Sequence, residues 1–348
     1  MNLFINLKVK IIMLLVIALI ISFFLYSLII KFYVDPYLQN DSDLGRGEKI
    51  FEFYKTKNND NLNKIYYLGH SSVKEDIDAG LIDKLNKSFD NYNLGNPAST
   101  PLREVAEVDY IINSRPKAVV VGVSYMSFSN NWLFPYDQYA LISKYINLQE
   151  NYELTQIYNE TYQEFLEMSK LKLFMYKRKF IYPATDSKIK YLRYKLLGTE
   201  KPYSYKKYNE DFKSESILLQ SNLSHNPKFL EILGDKESFH EYFVSSETNI
   251  EKSAFEFIIK KLSENEIKTI IVKIPLNPNL SEKILNKSKN NFDIFLDGIS
   301  KEYDTPILDY TLNYSDFYFY DGHHLNNDGK RIFSKDLGLE IIKVISRA

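Results

Sequence analysis

The sequence predicts an α/β protein: a parallel sheet of about five strands, split by one long, mainly helical insertion and preceded by a single transmembrane helix. Three observations carry that expectation. Residues 11–30, IIMLLVIALIISFFLYSLII, form an uncharged apolar run of about the length a helix needs to cross the hydrocarbon core. Over residues 63–128 and again over 247–348, short β-branched runs alternate with helical periodicity, the pattern of βα units around a parallel sheet. Between those segments, residues 129–246 lose the rhythm and read as helices rich in aromatics.

Taken in order, residues 1–10 carry Lys8 and Lys10 ahead of the apolar run, and Lys31 and Asp35 follow it. The excess of positive charge before the span predicts a single-pass cell-membrane protein with a cytoplasmic N-terminus and an extracytoplasmic body. No small-x-small site follows LYSLIIKFYV, as a cleaved signal peptide would require. Residues 31–62, polar from 38 to 60, form a juxtamembrane linker or helix.

The first half of the α/β domain opens with the strand KIYYLG (64–69), followed by one helix over VKEDIDAGLIDKLNKSF (73–89), with Ile77, Leu81 and Leu85 on one face. FDNYNLG (89–95) is the second strand. Thr100 as N-cap and Pro101 at the first helical position open a helix of about fifteen residues. KAVVVGVSYMSF (117–128) reads as a buried strand ending in a turn. Within the insertion, LKLFMYKRKFIY (171–182) mixes Lys172, Lys177, Arg178 and Lys179 with aromatics. That pattern suits an amphipathic cap helix packed on the core, or a face for membrane or partner. The second half holds a helix near 248–264, the strand KTIIVKIPL (268–276), a helix near 281–302, the strand TPILDY (305–310) and a last helix from about Asn326.

Composition removes several classes of function. The chain has 348 residues, enough for a substantial core, with 44 basic against 45 acidic residues and no cysteine. A balanced charge argues against general nucleic-acid binding, which needs a basic excess or stripe. The lack of cysteine excludes disulfides, thiolate metal sites and a cysteine nucleophile.

Ligands of parallel α/β sheets bind beyond the carboxyl ends of the strands, so the strand ends are read together. They are Gly69-His70-Ser71-Ser72, Gly95-Asn96-Pro97-Ala98, Gly122-Val123-Ser124-Tyr125 and the loop FYFYDGHHLNNDGKR at 317–331. Asp321 and His324 stand three apart just before the last helix. An imidazole can take a proton from a serine, and a carboxylate can hold that imidazole in the right tautomer. Ser71 at the start of a helix would also meet that helix's N-terminal dipole and amides. The plainer readings are that Ser71 and Ser72 cap a helix, that Asp321 caps a turn, and that His323 or His324 is a surface group. His70 reads as a residue behind the reacting groups or on the surface, more than as a reacting group itself. A metal held by His70, Asp321, His323 and His324 is chemically reasonable, but no helical His-x-x-x-His spacing supports it.

Gly-x-Ser after the first strand, Asp-x-x-His before the last helix and the βα series between them resemble the SGNH (GDSL-type) hydrolase superfamily. Within it the chain is most similar to the membrane-anchored, exported branch that serves O-acylation of cell-surface polymers, as in teichoic-acid D-alanylation and alginate O-acetylation. The resemblance implies a flavodoxin-like three-layer sandwich, with Ser71 as nucleophile, His324 as general base and Asp321 orienting it. It implies an oxyanion hole containing the amide of Ala98, where the family has glycine, and Ser124, where the family has asparagine. The expected activity is a serine O-acyltransferase or carboxylic ester hydrolase acting through an acyl-enzyme, with no metal and no organic cofactor. The implied partners are a cell-surface polysaccharide or acyl donor, a membrane-bound O-acyltransferase and the membrane itself. A second class stays open: an SGNH-like scaffold without catalysis that binds glycan or the acyltransferase.

Overall fold

The computed structural model describes residues 2–35, 43–56, 63–129, 177, 181–197, 212–213, 243–281, 284 and 286–346. Most of the 129–246 insertion, including most of LKLFMYKRKFIY, therefore lies outside the described residues. In chain order the elements are α1 (Asn2–Ile29), a π-helical turn (Ile30–Val34), α2 (Asp43–Thr56), β1 (Lys64–Leu68), α3 (Ser71–Asp76) and α4 (Ala79–Leu85). Then come β2 (Asp90–Asn93), α5 (Pro101–Glu104), a 3-10 turn (Val105–Glu107), α6 (Val108–Ser114), β3 (Ala118–Val123) and a 3-10 turn (Tyr125–Phe128). The rest is α7 (Ile181–Leu197), α8 (Ile250–Glu264), β4 (Lys268–Lys273), α9 (Pro278–Ser281), α10 (Asn286–Glu302), β5 (Ile307–Asp309), a 3-10 turn (Asp316–Tyr318) and α11 (Asn327–Ser346).

The chain divides into two compact units, Met1–Arg46 with Glu167–Lys207, and Gly47–Leu166 with Tyr208–Ala348. In the first, Val9–Phe32 is long and apolar enough to cross a membrane, and none of its most apolar stretch is buried. Every residue from Val9 to Leu25 is exposed, which suits a helix apolar all round and made to span a membrane. At the end of that helix Ile30 and Val34 bury a small cluster with Ala184 of α7, flanked by Tyr26 and Ile181. Lys177 pairs with Asp35 at 2.7 Å beside it.

In the second unit the five strands form one parallel sheet in the order β2-β1-β3-β4-β5. The α/β class and parallel sheet predicted from the alternating pattern are thus present. Every residue of β1 and β3 is buried, which is why those strands read as near-continuous apolar runs and not as alternations. Ile65, Tyr67, Val120, Ile270 and Val272 pack on one face against Val73 of α3, Ile82 of α4, and Phe333, Leu337 and Ile341 of α11. The opposite face presents Tyr66, whose ring meets Phe53 at 5.8 Å and Tyr54 at 5.7 Å, both on α2. Helices therefore cover both faces, and each aliphatic side chain so buried contributes about 1.5–3 kcal/mol. Residues 212–213 of the insertion lie along the β2 edge, where Asn93 N–H donates to the Phe212 carbonyl at 2.8 Å.

The structure corrects three local expectations. Residues 73–89 are not one helix, because Asp78 adopts extended backbone and its side chain accepts from Leu81 N–H at 2.9 Å. That cap starts a new helix and outweighs the continuing periodicity. The helix is also shifted: α3 begins at Ser71 and has six residues, so stabilisation near Ser71 falls to individual amides and not to a long helix dipole. The helix at 101–114 is broken by a 3-10 turn, and Thr100 makes no side-chain cap bond. Its place is taken by Glu251, whose carboxylate accepts from Leu102 N–H at 2.9 Å.

Candidate active site

In the order β2-β1-β3-β4-β5 the direction of winding reverses between β1 and β3, and the carboxyl ends at such a switch point are where open α/β sheets bind their ligands. Ser71 follows β1 and Ser124 follows β3. The turn out of β1 depends on Gly69, whose φ of +143° suits glycine and at which a Cβ would lie 2.4 Å from Val73 Cγ2 and 2.6 Å from the Gly122 carbonyl. The loop after β2 docks on the same turn, with Asn96 N–H donating to the Gly69 carbonyl at 2.9 Å.

Three of the residues singled out in the sequence meet here in a line. Ser71 Oγ lies 2.9 Å from His324 Nε2, and His324 Nδ1 lies 2.8 Å from Asp321 Oδ2. The other oxygen of Asp321 accepts the backbone N–H groups of His323 at 2.9 Å and His324 at 2.8 Å. A carboxylate accepts only, so His324 carries its proton on Nδ1 and leaves Nε2 open to accept from the Ser71 hydroxyl. Asp321 and His324 stay partly exposed, at 26% and 18% of their side chains, so the line opens to solvent.

The electrostatics agree with that assignment. Burial alone would raise the Asp321 carboxyl, but the hydrogen bond from His324 and the charges of His323 and His324 hold it well below the usual carboxylate range. Burial alone would lower His324, but the hydrogen bond and charge of Asp321, with Asp76 and Glu75 behind, leave it above the ordinary histidine value. His323 is pushed down to about 4, first by burial and then by the neighbouring His324 charge. One histidine of the adjacent pair is thus a strengthened base and the other stays neutral.

Two further residues, which the motifs did not reveal, clamp the histidine loop to the serine helix. Ser72 Oγ–H donates to the His323 carbonyl at 2.8 Å, and Asp76 Oδ1 accepts from Leu325 N–H at 2.8 Å. The bonds fall on either side of His324. Burial raises the Asp76 carboxyl well above its ordinary value. Ser72 and Asp76 sit one and five residues after Ser71 on α3, and that closeness was the one signal available in the sequence.

The two residues expected to line an oxyanion hole follow β2 and β3, the two strands that flank β1. Ala98 follows Pro97 in a turn closed by Ser99 N–H to the Asn96 carbonyl at 3.0 Å, and its φ is +52°. Such a turn position ordinarily takes glycine. The backbone N–H groups of Ser71 and Ala98 have no acceptor among the described residues. Ser124 Oγ lies 2.9 Å from His70 Nε2, and His70 also caps α3, its Nδ1 accepting from Ser72 N–H at 3.2 Å. Asn96 is fully buried, and neither polar atom of its side chain has a partner among the described residues.

Asp321, His323 and His324 offer ligand atoms within 4.8 Å of one another. Both ring nitrogens of His324 are already engaged, by Asp321 and by Ser71, so a metal there would have to break the line just described. His70 is turned away to Ser72 and Ser124. Neither a scan against protein-family models nor a search of the curated proteins finds a match for this chain.

Proposed function

We propose that the protein is a membrane-anchored, extracytoplasmic serine enzyme of the SGNH type, which transfers or removes O-acyl groups on a cell-surface polysaccharide. The observation that carries this reading is the line Ser71–His324–Asp321, with contacts of 2.9 and 2.8 Å at the point where the sheet reverses. The parallel sheet with helices on both faces suits the three-layer SGNH sandwich, and the apolar Val9–Phe32 helix suits a single-pass anchor with a cytoplasmic N-terminus.

In this reading Ser71 Oγ attacks the carbonyl carbon of an acyl donor while His324 Nε2 takes its proton. The negative charge moves to the carbonyl oxygen, where the amides of Ser71 and Ala98 and the Ser124 hydroxyl donate to it. As the C–O bond to the leaving alcohol breaks, His324 returns the proton to that alcohol, and an acyl-Ser71 ester remains. A sugar hydroxyl or water then gives its proton to His324, attacks the ester, and releases Ser71 with its proton restored. Asp321 keeps the ring oriented and stabilises the imidazolium in both halves. A tether at the membrane surface favours a glycan hydroxyl over water as acceptor, with a membrane-bound O-acyltransferase as the source of the acyl group. The alternative, a binding scaffold for glycan or acyltransferase, has no need of a hydrogen-bonded serine, histidine and aspartate in this order.

The test is intact-mass spectrometry of the full chain in detergent after incubation with p-nitrophenyl acetate, beside its Ser71→Ala variant. An acetyl adduct on the parent and none on the variant is expected. An adduct that persists in Ser71→Ala, or labelling of that variant by a fluorophosphonate probe, overturns the assignment.

A further inference from the structure

His70 and Ser124 form a second hydrogen-bonded pair beside the first, and its proton positions can be deduced. Both residues are nearly buried, at 7% and 8% exposure. His70 Nδ1 accepts the backbone N–H of Ser72, so that nitrogen carries no proton. Burial, and then the charges of His323 and His324, push His70 down to about 3, so the ring is neutral at any ordinary pH. A neutral imidazole with a bare Nδ1 has its proton on Nε2. Nε2 therefore donates to Ser124 Oγ across 2.9 Å, and the hydroxyl accepts.

A serine hydroxyl has one proton to give. Ser124 Oγ already accepts the Ser127 backbone N–H as the cap of the 3-10 turn; with His70 donating into its other lone pair, the Ser124 proton cannot point back at the ring and must aim elsewhere. Accepting one hydrogen bond also polarises the hydroxyl as a donor. The bond ties the end of β3 to residue 70, immediately before Ser71 in the chain. It thus holds the hydroxyl at the reversal point, where the acyl oxygen would become negative.

We propose that His70 is a positioning residue that fixes the Ser124 hydroxyl as a hydrogen-bond donor to the oxyanion of the Ser71 tetrahedral intermediate. The inference rests on the acyl-enzyme reading above and adds to it the residue that orients one of its donors. Asn or Gln amides hold two N–H protons and need no such partner. A serine does, because with only the Ser127 N–H on it the hydroxyl can still turn its second lone pair to the oxyanion as readily as its proton.

The experiment measures the rate of Ser71 acetylation by p-nitrophenyl acetate in the full chain in detergent, with thermal unfolding read alongside. Ser124→Ala should slow acylation about 10²-fold, within the range for loss of one oxyanion donor, with little change in KM. Ser124→Thr, which keeps the hydroxyl, should stay within about tenfold of the parent. His70→Ala should resemble Ser124→Ala, and the double variant should be no slower than either alone, as for two residues acting as one unit. His70→Gln, whose amide can donate from the position of Nε2, should recover most of the rate. Acylation of Ser124→Ala at the parental rate overturns the inference, as does full additivity in the double variant with no rescue by Gln. Those outcomes leave the acyl-enzyme reading standing provided Ser71→Ala is inert. A parent that accepts neither acetyl nor a fluorophosphonate overturns both.

Discussion

His324 Nε2 stands 2.9 Å from Ser71 Oγ although 253 positions of sequence separate them. The contact joins the turn after the first strand to the loop before the last helix. Its chemistry depends on which nitrogen holds the proton, and Asp321 decides that by accepting from Nδ1 at 2.8 Å.

Replacing Asp321 by Asn should therefore cost more than its size suggests. An amide can donate to Nδ1 and so favour the wrong tautomer, and acylation should fall roughly 10²–10⁴-fold with the fold retained. The pH profile gives the sign. His324 acts as a base only when neutral, and its pKa lies above the ordinary histidine value. Activity should rise with pH through an apparent pKa above 6.5, and the midpoint should move down in Asp321→Asn. His70 and His323, at about 3 and about 4, should leave no inflection near neutrality.

The clamps on the histidine loop predict a different pattern. Ser72→Ala removes the bond to the His323 carbonyl and should cost about 1 kcal/mol of stability. Acylation should drop by up to about 10²-fold through misplacement of the imidazole. Asp76→Asn keeps an acceptor for Leu325 N–H and should stay within a few-fold of the parent, whereas Asp76→Ala should not. Acylation kinetics with denaturant midpoints separate the cases.

Ala98 predicts an order among substitutions. Its left-handed backbone, φ +52°, costs a non-glycine residue about 1–2 kcal/mol. Glycine relieves that strain but adds freedom to the unfolded chain, so Ala98→Gly should shift stability by no more than about 1 kcal/mol and keep activity. Ala98→Val places a β-branched residue there and should destabilise by about 2 kcal/mol or more and displace the amide. Thermal unfolding of the three chains tests the ranking.

Buried carboxyls away from the site predict how stability depends on pH. Glu104 is raised to about 8 and Glu251 to about 7, each chiefly by burial. The folded chain holds protons there that the unfolded chain releases near 4.5, so their contribution is complete below that value and is lost as pH rises through 7 and 8. The urea midpoint should fall between pH 5.5 and 8.5, at roughly 1.4 kcal/mol per unit for each titrating group. His324, also raised, acts in the same direction, so the comparison is with Glu104→Gln, in which the slope should flatten.

Much of this architecture was legible because the relevant signals are local. KAVVVGV is apolar on both faces and so announces a strand covered by helices on both sides. Ser71 and the Asp321–His324 pair could be picked out because each lies where a strand or loop meets a helix, the place where a parallel sheet offers side chains to a ligand. The missed features depend on distant partners. Nothing near Thr100 says that Glu251 will take over its capping role, 149 positions from Leu102. Ser72 reads in the sequence only as a cap and Asp76 only as part of a helix, since the groups they hold lie 251 and 249 positions away. The break at Asp78 was a local contest between periodicity and a cap, and the cap prevailed.

The distance along the chain between Ser71 and His324 also sets an order of events. A polypeptide made and moved from its N-terminus presents the serine early and the imidazole near the end. Until the loop before α11 folds back onto α3, Ser71 is an alcohol of ordinary reactivity, bordered by a histidine whose ring faces away from it. If Ser71 is the nucleophile proposed above, its reactivity arrives in one step with the docking of the last helix, and a polypeptide cut short before residue 324 should stay chemically silent wherever it lodges.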